Sequence, residues 1–112
     1  MGEYAWYNAN SGDTPHPVGE KRPNAWGLHD CYGNVYEWCA DRFDVYPVGH
    51  WLGSFRRTTD PPGSASAADR TVRGGCWHYP ARFCRSVHRG GNPPQSSNLG
   101  VGFRVALSVA GP

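Results

Sequence analysis

"AWGLHDCYGNVYEWCADRFDVY", residues 25–46, decides how this chain is read. Gly33-Asn34 is a turn-forming pair, and from Val35 to Asp41 the residues alternate, with Tyr36 and Trp38 set against Glu37 and Cys39. A period of two is the pattern of a strand with one buried face. Cys31, Val35, Trp38 and Cys39 also fall at helical spacing, so a helical turn is the competing reading, and Gly33 at its centre counts against it.

To the N-terminal side, "NANSGDTPHP" and "EKRPN" are turn-forming clusters, so residues 1–24 are expected to be irregular and to wrap a core built later in the chain. To the C-terminal side, residues 53–69 have the Pro, Gly and Ser density of a surface loop. Three further short strands are expected at Thr71–Cys76, Phe83–Arg89 and Val101–Ser108. Together these give one α+β domain over residues 1–112: a small antiparallel sheet with long irregular loops and little helix.

Composition supports this. With 15 Gly and 10 Pro the chain is turn-rich, while five Trp, six Tyr and four Phe supply enough buried area to argue against disorder. The net charge of +2 comes without a basic block that would track phosphates, so nucleic acid is not expected as a partner. No apolar run reaches the length of a membrane span, and "MGEYAWYNANSGD" lacks the basic and apolar regions of a signal peptide. The expected setting is the cytoplasm, or the surface of a cell or phage. Cys31, Cys39, Cys76 and Cys84 fit neither paired zinc knuckles nor a dense disulfide framework.

"HPVGEKRPNAWGLHDCYGNVYEWCADRF", "DRTVRGGCW", "CRSVHR" and "GFRVAL" follow one another in the order found in the formylglycine-generating enzyme (sulfatase-modifying factor) family. From about Tyr4 to Leu107 the chain resembles the C-terminal half of that domain. The resemblance implies a C-type-lectin-like fold, and it leaves function open, because members include a copper-dependent oxidase that makes formylglycine, ergothioneine-pathway enzymes and ligand-binding display proteins.

In the oxidase two cysteines five residues apart bind copper(I), and the matching positions here are Tyr79 and Cys84. One thiolate is therefore replaced, and copper is not expected. The oxidase remains the alternative function, with Cys84 as its surviving ligand. For Cys76 and Cys84 themselves, buried packing, a metal pair completed by His78 or His88, and a disulfide are the open readings. The resemblance also implies a calcium site at Asp30, Gly33, Val35 and Glu37, whose carboxylates and carbonyls are the hard oxygens that this ion takes. The competing reading has Asp30 capping the Gly-Asn turn and Glu37 paired with an arginine.

Between the fixed pieces "RGG-W", "A", "CRS", "R" and "GFRVAL" lie Cys76, His78, Tyr79, Arg82, Phe83, His88, Asn92 and Asn98. Each can be encoded by a codon with two free bases and a pyrimidine third, the output of adenine-directed mutagenesis at Asn codons. The variable proteins of diversity-generating retroelements resemble this family and carry such a segment near the C-terminus. Aromatic and Arg anchors among small polar residues suit a binding surface. The expected function is thus a non-catalytic display domain for a protein or cell-surface ligand. In it His78, Tyr79, Arg82, Phe83, His88 and Asn98 face solvent, and Trp77, Cys84, Phe103 and Val105 lie buried beneath.

Overall fold

The computed structural model describes residues 1–44 and 66–107. Strands β1 (Ala5–Trp6) and β2 (Tyr32–Gly33) pair in parallel. A second sheet has the order β5 (Gly90–Asn92), β4 (Arg70–Arg73), β3 (Tyr36–Arg42), β6 (Val101–Gly102). The regular helix among the described residues is a single 3-10 turn at Ala81–Cys84.

The alternating stretch is β3, one residue later than its sequence bounds, and the helical alternative does not occur. Its Tyr36 and Trp38 join Val72, Cys76, Trp77 and Val101 in the core cluster on one face of the sheet. The opposite face carries a polar knot. Thr71, fully buried, donates to Asp41 Oδ2 at 2.8 Å, and Arg89 Nη2 donates to the same oxygen at 2.8 Å. Burial works against the Asp41 charge, but these hydrogen bonds, a backbone hydrogen bond and the Arg89 charge together outweigh it and hold the carboxyl below its ordinary range.

Asn34 fastens this sheet to the N-terminal segment. It is 3% exposed and sits in the left-handed region at φ 62°. Its backbone N–H donates to the Trp6 carbonyl at 2.8 Å, and its carbonyl accepts from the Trp77 N–H at 2.7 Å. Its side-chain amide donates to the His16 carbonyl at 3.0 Å and accepts from the His16 N–H at 2.9 Å. Beside it, Gly33 has no room for a side chain, which would run into the Trp6 carbonyl.

Four expectations need correction. Strand β4 stops at Arg73 and does not reach Cys76, because Gly74 and Gly75 turn the chain at φ 93° and 78°. Residues 83–89 are not a strand. Pro80 leads into the 3-10 turn, His88 N–H closes another turn on the Arg85 carbonyl, and the strand follows at β5. Of the strand expected at Val101–Ser108, the part that pairs among the described residues is Val101–Gly102, and Phe103 and Val105 are exposed, at 79% and 84%. The sheet is mixed, since β6 runs parallel to β3 while β4 is antiparallel to both β3 and β5. The chain reaches β6 through the long 93–100 connection, which lets it enter in the same direction as β3. Of the expected 53–69 loop, residues up to 65 lie outside the described residues.

Gly75 shows how closely the layers approach. A Cβ there would lie 2.7 Å from Cys84 Sγ and 2.9 Å from the Phe83 carbonyl oxygen. Gly75→Ala is therefore expected to cost about 2–4 kcal/mol, from the left-handed backbone and overpacking together. Gly27→Ala is the control, with φ 77° and open space around its Cβ, and should cost only about 1–2 kcal/mol. Urea unfolding midpoints of the two variants measure the difference, and equal losses would contradict the packing argument.

Candidate functional site

The loop after Gly75 lies over the core face of the sheet because both its ends are pinned. Trp77 N–H is held by Asn34, Ser11 Oγ donates to the Trp77 carbonyl at 2.9 Å, and Asn8 N–H donates to the Tyr79 carbonyl at 3.1 Å. Trp77 Nε1 reaches across to the Leu99 carbonyl at 3.1 Å. Between this loop and the sheet is a cavity of about 650 Å³. Tyr36, Val72 and Val101 form its floor, Trp77, His78, Tyr79, Asn98 and Leu99 its walls, and Gly90–Asn92 one side. This volume lies in the range of small-ligand sites, and the mixture of rings with a few polar groups is typical of them.

A run of rings continues from the cavity over the surface. Trp77 meets His78 at 5.2 Å and His78 meets Tyr79 at 5.9 Å. Tyr79, Phe83, His88 and Tyr36 then close a circuit, with centroid separations of 5.3, 4.9, 6.4 and 5.9 Å. The Arg82 guanidinium lies 4.8 Å from the Phe83 ring.

The structure brings the expected face together unevenly. Cys76, His78, Tyr79, Asn92 and Asn98 line the cavity, and Arg82, Phe83 and His88 extend the surface beside it. His78, Tyr79, Arg82 and Asn98 are exposed, whereas Phe83 and His88 are half-buried. Below them Cys84 is buried and Trp77 half-buried, but Phe103 and Val105 are not beneath this face. Sequence reasoning missed Tyr36 and Val72 as floor residues. The inward phase of β3 was the available signal for Tyr36, because it points the ring into the same face as the loop.

Cys76 and Cys84 are buried thiols in this arrangement, Cys31 and Cys39 are half-buried, and all four are free. Burial, reinforced by the neighbouring Cys76, pushes the Cys84 thiol up to about 11, and burial also raises Cys76. Tyr79 has no thiol, so the position five residues before Cys84 does not supply the second copper ligand of the oxidase. No group of three or more His, Cys, Asp or Glu side chains suited to a metal occurs among the described residues.

The four calcium positions are arranged differently from a shell. Asp30 Oδ2 accepts from Gly19 N–H at 2.7 Å, and Asp30 Oδ1 is buried with no hydrogen-bond partner. The Gly33 N–H donates to the Gly74 carbonyl at 2.7 Å, and Val35 packs beside Gly102. Glu37 is gripped by Arg104 through both carboxylate oxygens, with Nη2 to Oε1 at 2.7 Å and Nε to Oε2 at 3.0 Å. A guanidinium thus holds the Glu37 oxygens that the calcium reading assigns to an ion. Of the competing pair of roles, Glu37 has its arginine, and Asp30 holds Gly19 instead of capping the Gly-Asn turn.

Burial and the nearby Arg85 hold the His88 imidazole below its ordinary 6.5. The folded chain therefore takes up this proton less readily than the unfolded chain. Its contribution is intact above about pH 6.5 and is lost as pH falls through and below that value. The unfolding free energy should drop between pH 7 and 5, and the drop should be shallower in His88→Gln. Identical pH profiles for the two proteins would contradict this assignment.

Comparison with known proteins places the geometry in a family. The profile described as Sulfatase-modifying factor enzyme 1-like domain matches residues 1–109. The formylglycine-generating enzyme of Streptomyces coelicolor is 39% identical over 93 residues, covering 80% of this chain and 28% of that protein. Serine/threonine-protein kinase pkn1 of Chlamydia pneumoniae is 39% identical over 89 residues, covering 78% of this chain and 14% of the kinase. Among solved structures, Treponema denticola variable protein 1 superposes with a TM-score of 0.75 at 40% identity, covering 91% of this chain and 35% of that one. PvdO from Pseudomonas aeruginosa gives 0.70 at 29% identity, covering 92% and 38%. The chain spans under two fifths of each of these proteins. Its sparse helix and small curled mixed sheets are those of an α+β fold similar to these structures, and the chain belongs to the sulfatase-modifying factor family.

Proposed function

We propose that this chain is a non-catalytic display domain, in which the loop over the sheet and the residues that follow it form an exchangeable ligand-binding face. The observation that carries the reading is the meeting of Cys76, His78, Tyr79, Asn92 and Asn98 around one cavity. These are residues that the pyrimidine-ending codon pattern can supply, and they come together on a scaffold held by other residues. The similarity to a protein named as a variable protein supports it. Aromatic rings at the surface cost solvation unless a partner covers them, and they are among the side chains that dominate interface energies. Tyr79 at the position of the oxidase's second cysteine argues against copper-dependent oxidation at the same place. The partner on this reading is a protein or a cell-surface ligand, and no nucleic acid is required. No helix among the described residues is long and apolar enough to cross a membrane.

Deep sequencing of the gene in a growing population tests the exchangeable face. Substitutions should concentrate within codons 76–99, at the first two bases of the pyrimidine-ending codons, and be absent from codons 30–42. An equal, low frequency in both segments would contradict diversification. Conversion of a cysteine-containing sulfatase peptide to formylglycine by the copper-treated chain would contradict the non-catalytic reading.

A further inference from the structure

Charge is divided along this chain. Residues 1–69 contain nine acidic and five basic residues, whereas residues 70–112 contain six arginines and neither Asp nor Glu. Folding neutralises only part of the second group. Arg89 pairs with Asp41, and Arg104 with Glu37. Arg70 Nη1 donates to the Ala40 carbonyl at 2.7 Å.

The remaining three arginines converge on the 3-10 turn and the residues just after it. Arg85 Nε donates to the Arg82 carbonyl at 2.9 Å, and Arg73 Nη1 donates to the Ser86 carbonyl at 3.0 Å. Arg82 extends over Phe83. Among the described residues, no carboxylate lies within ion-pair distance of these three guanidinium groups. Glu37 is the ladder partner of Arg73 in β3, but its oxygens are taken by Arg104. Arg82 and Arg85 are exposed and Arg73 half-buried. The carbonyl bonds hold Arg73 and Arg85 in place while leaving other N–H donors of each fork for a ligand.

We infer that the segment Arg82–Ser86, with Arg73, is an anion-recognising extension of the aromatic face, and that the ligand is a protein segment carrying clustered Asp or Glu carboxylates. Two features favour carboxylates on a polypeptide over a nucleic acid. The three positive groups are gathered around one short turn and not strung along a track, whereas a phosphate backbone presents its charges at regular intervals. Arg82 also lies over Phe83, which meets Tyr79, and Arg and aromatic residues are enriched at protein interfaces. Guanidinium forks hold carboxylates in bidentate geometry. This assignment rests on the display reading for its partner class.

Fluorescence anisotropy on the full chain tests it, using a labelled peptide of eight glutamates followed by a tyrosine. The controls are the same peptide with glutamines and a ten-nucleotide oligothymidylate. The acidic peptide should bind at least about tenfold tighter than either control, with affinity falling as salt rises. The combined Arg73→Gln, Arg82→Gln, Arg85→Gln variant should lose about tenfold or more, and the exposed single change Arg82→Gln should lose severalfold with an unchanged melting curve. Arg70→Gln should bind as the parent does. Equal binding of glutamate and glutamine peptides, tighter binding of the oligonucleotide, or full affinity in the Arg variants would overturn the inference. Tyr79→Ser separates it from the display reading: Arg-dependent binding that ignores Tyr79 supports the anion face while removing its link to the cavity.

Discussion

The placement of the loop over the sheet depends on one buried amide. Asn34 lies between the end of β2 and the start of β3, and its four hydrogen bonds join three parts of the chain that are far apart in sequence: Trp6, His16 and Trp77. A residue in this place must adopt a left-handed backbone, have both a donor and an acceptor on a short side chain, and fit a space closed to solvent. Asn meets all three demands, and it is among the few side chains that tolerate this backbone region. Each polar group it satisfies is one that burial would otherwise leave without water. The cavity loop starts at Trp77, so its position over the sheet is set by this residue.

The fold separates fixed from free positions. Asn34, the Thr71–Asp41–Arg89 knot and the Gly75–Cys84 approach leave little room for change, because each is buried and geometrically constrained. Above them the exposed loops contribute side chains whose contacts are mostly with one another. A face of this kind can change its chemistry without altering the sheet, which is the physical condition for recognition of varied partners. The half-buried Phe83 and His88 are intermediate: their rings meet Tyr79 and Tyr36, and they brace the face from below.

What could be read from the sequence was local. Strand β3 was legible because alternation from Val35 to Asp41 reflects one buried face, and the Gly33-Asn34 turn announced its start. A strand is expected at Phe83–Arg89 as well, yet Pro80 and the Arg85–His88 turn impose a compact path there. Phe103 and Val105 carry a strand-like pattern that in the described residues meets no covering layer. Local pattern gives a side chain's phase along a strand and says nothing of what lies opposite it. The same limit governs the site. Asp30 and Glu37 were legible as oxygen donors, but the partner of Glu37 is Arg104, 67 residues away, and no spacing rule reports such a pairing. The family resemblance identified the segment that forms the face, while Tyr36 and Val72 became visible as its floor only once the sheet was assembled.

The central claim is that a rigid scaffold carries a tolerant face, and it is tested most directly by resistance to proteolysis across a library of all single substitutions. At His78, Arg82 and Leu99 most substitutions should leave the chain as resistant as the parent, whereas at Asn34, Thr71 and Gly75 most should make it readily cleaved. Comparable intolerance at the two sets of positions would show that the face is part of the core and would contradict the account.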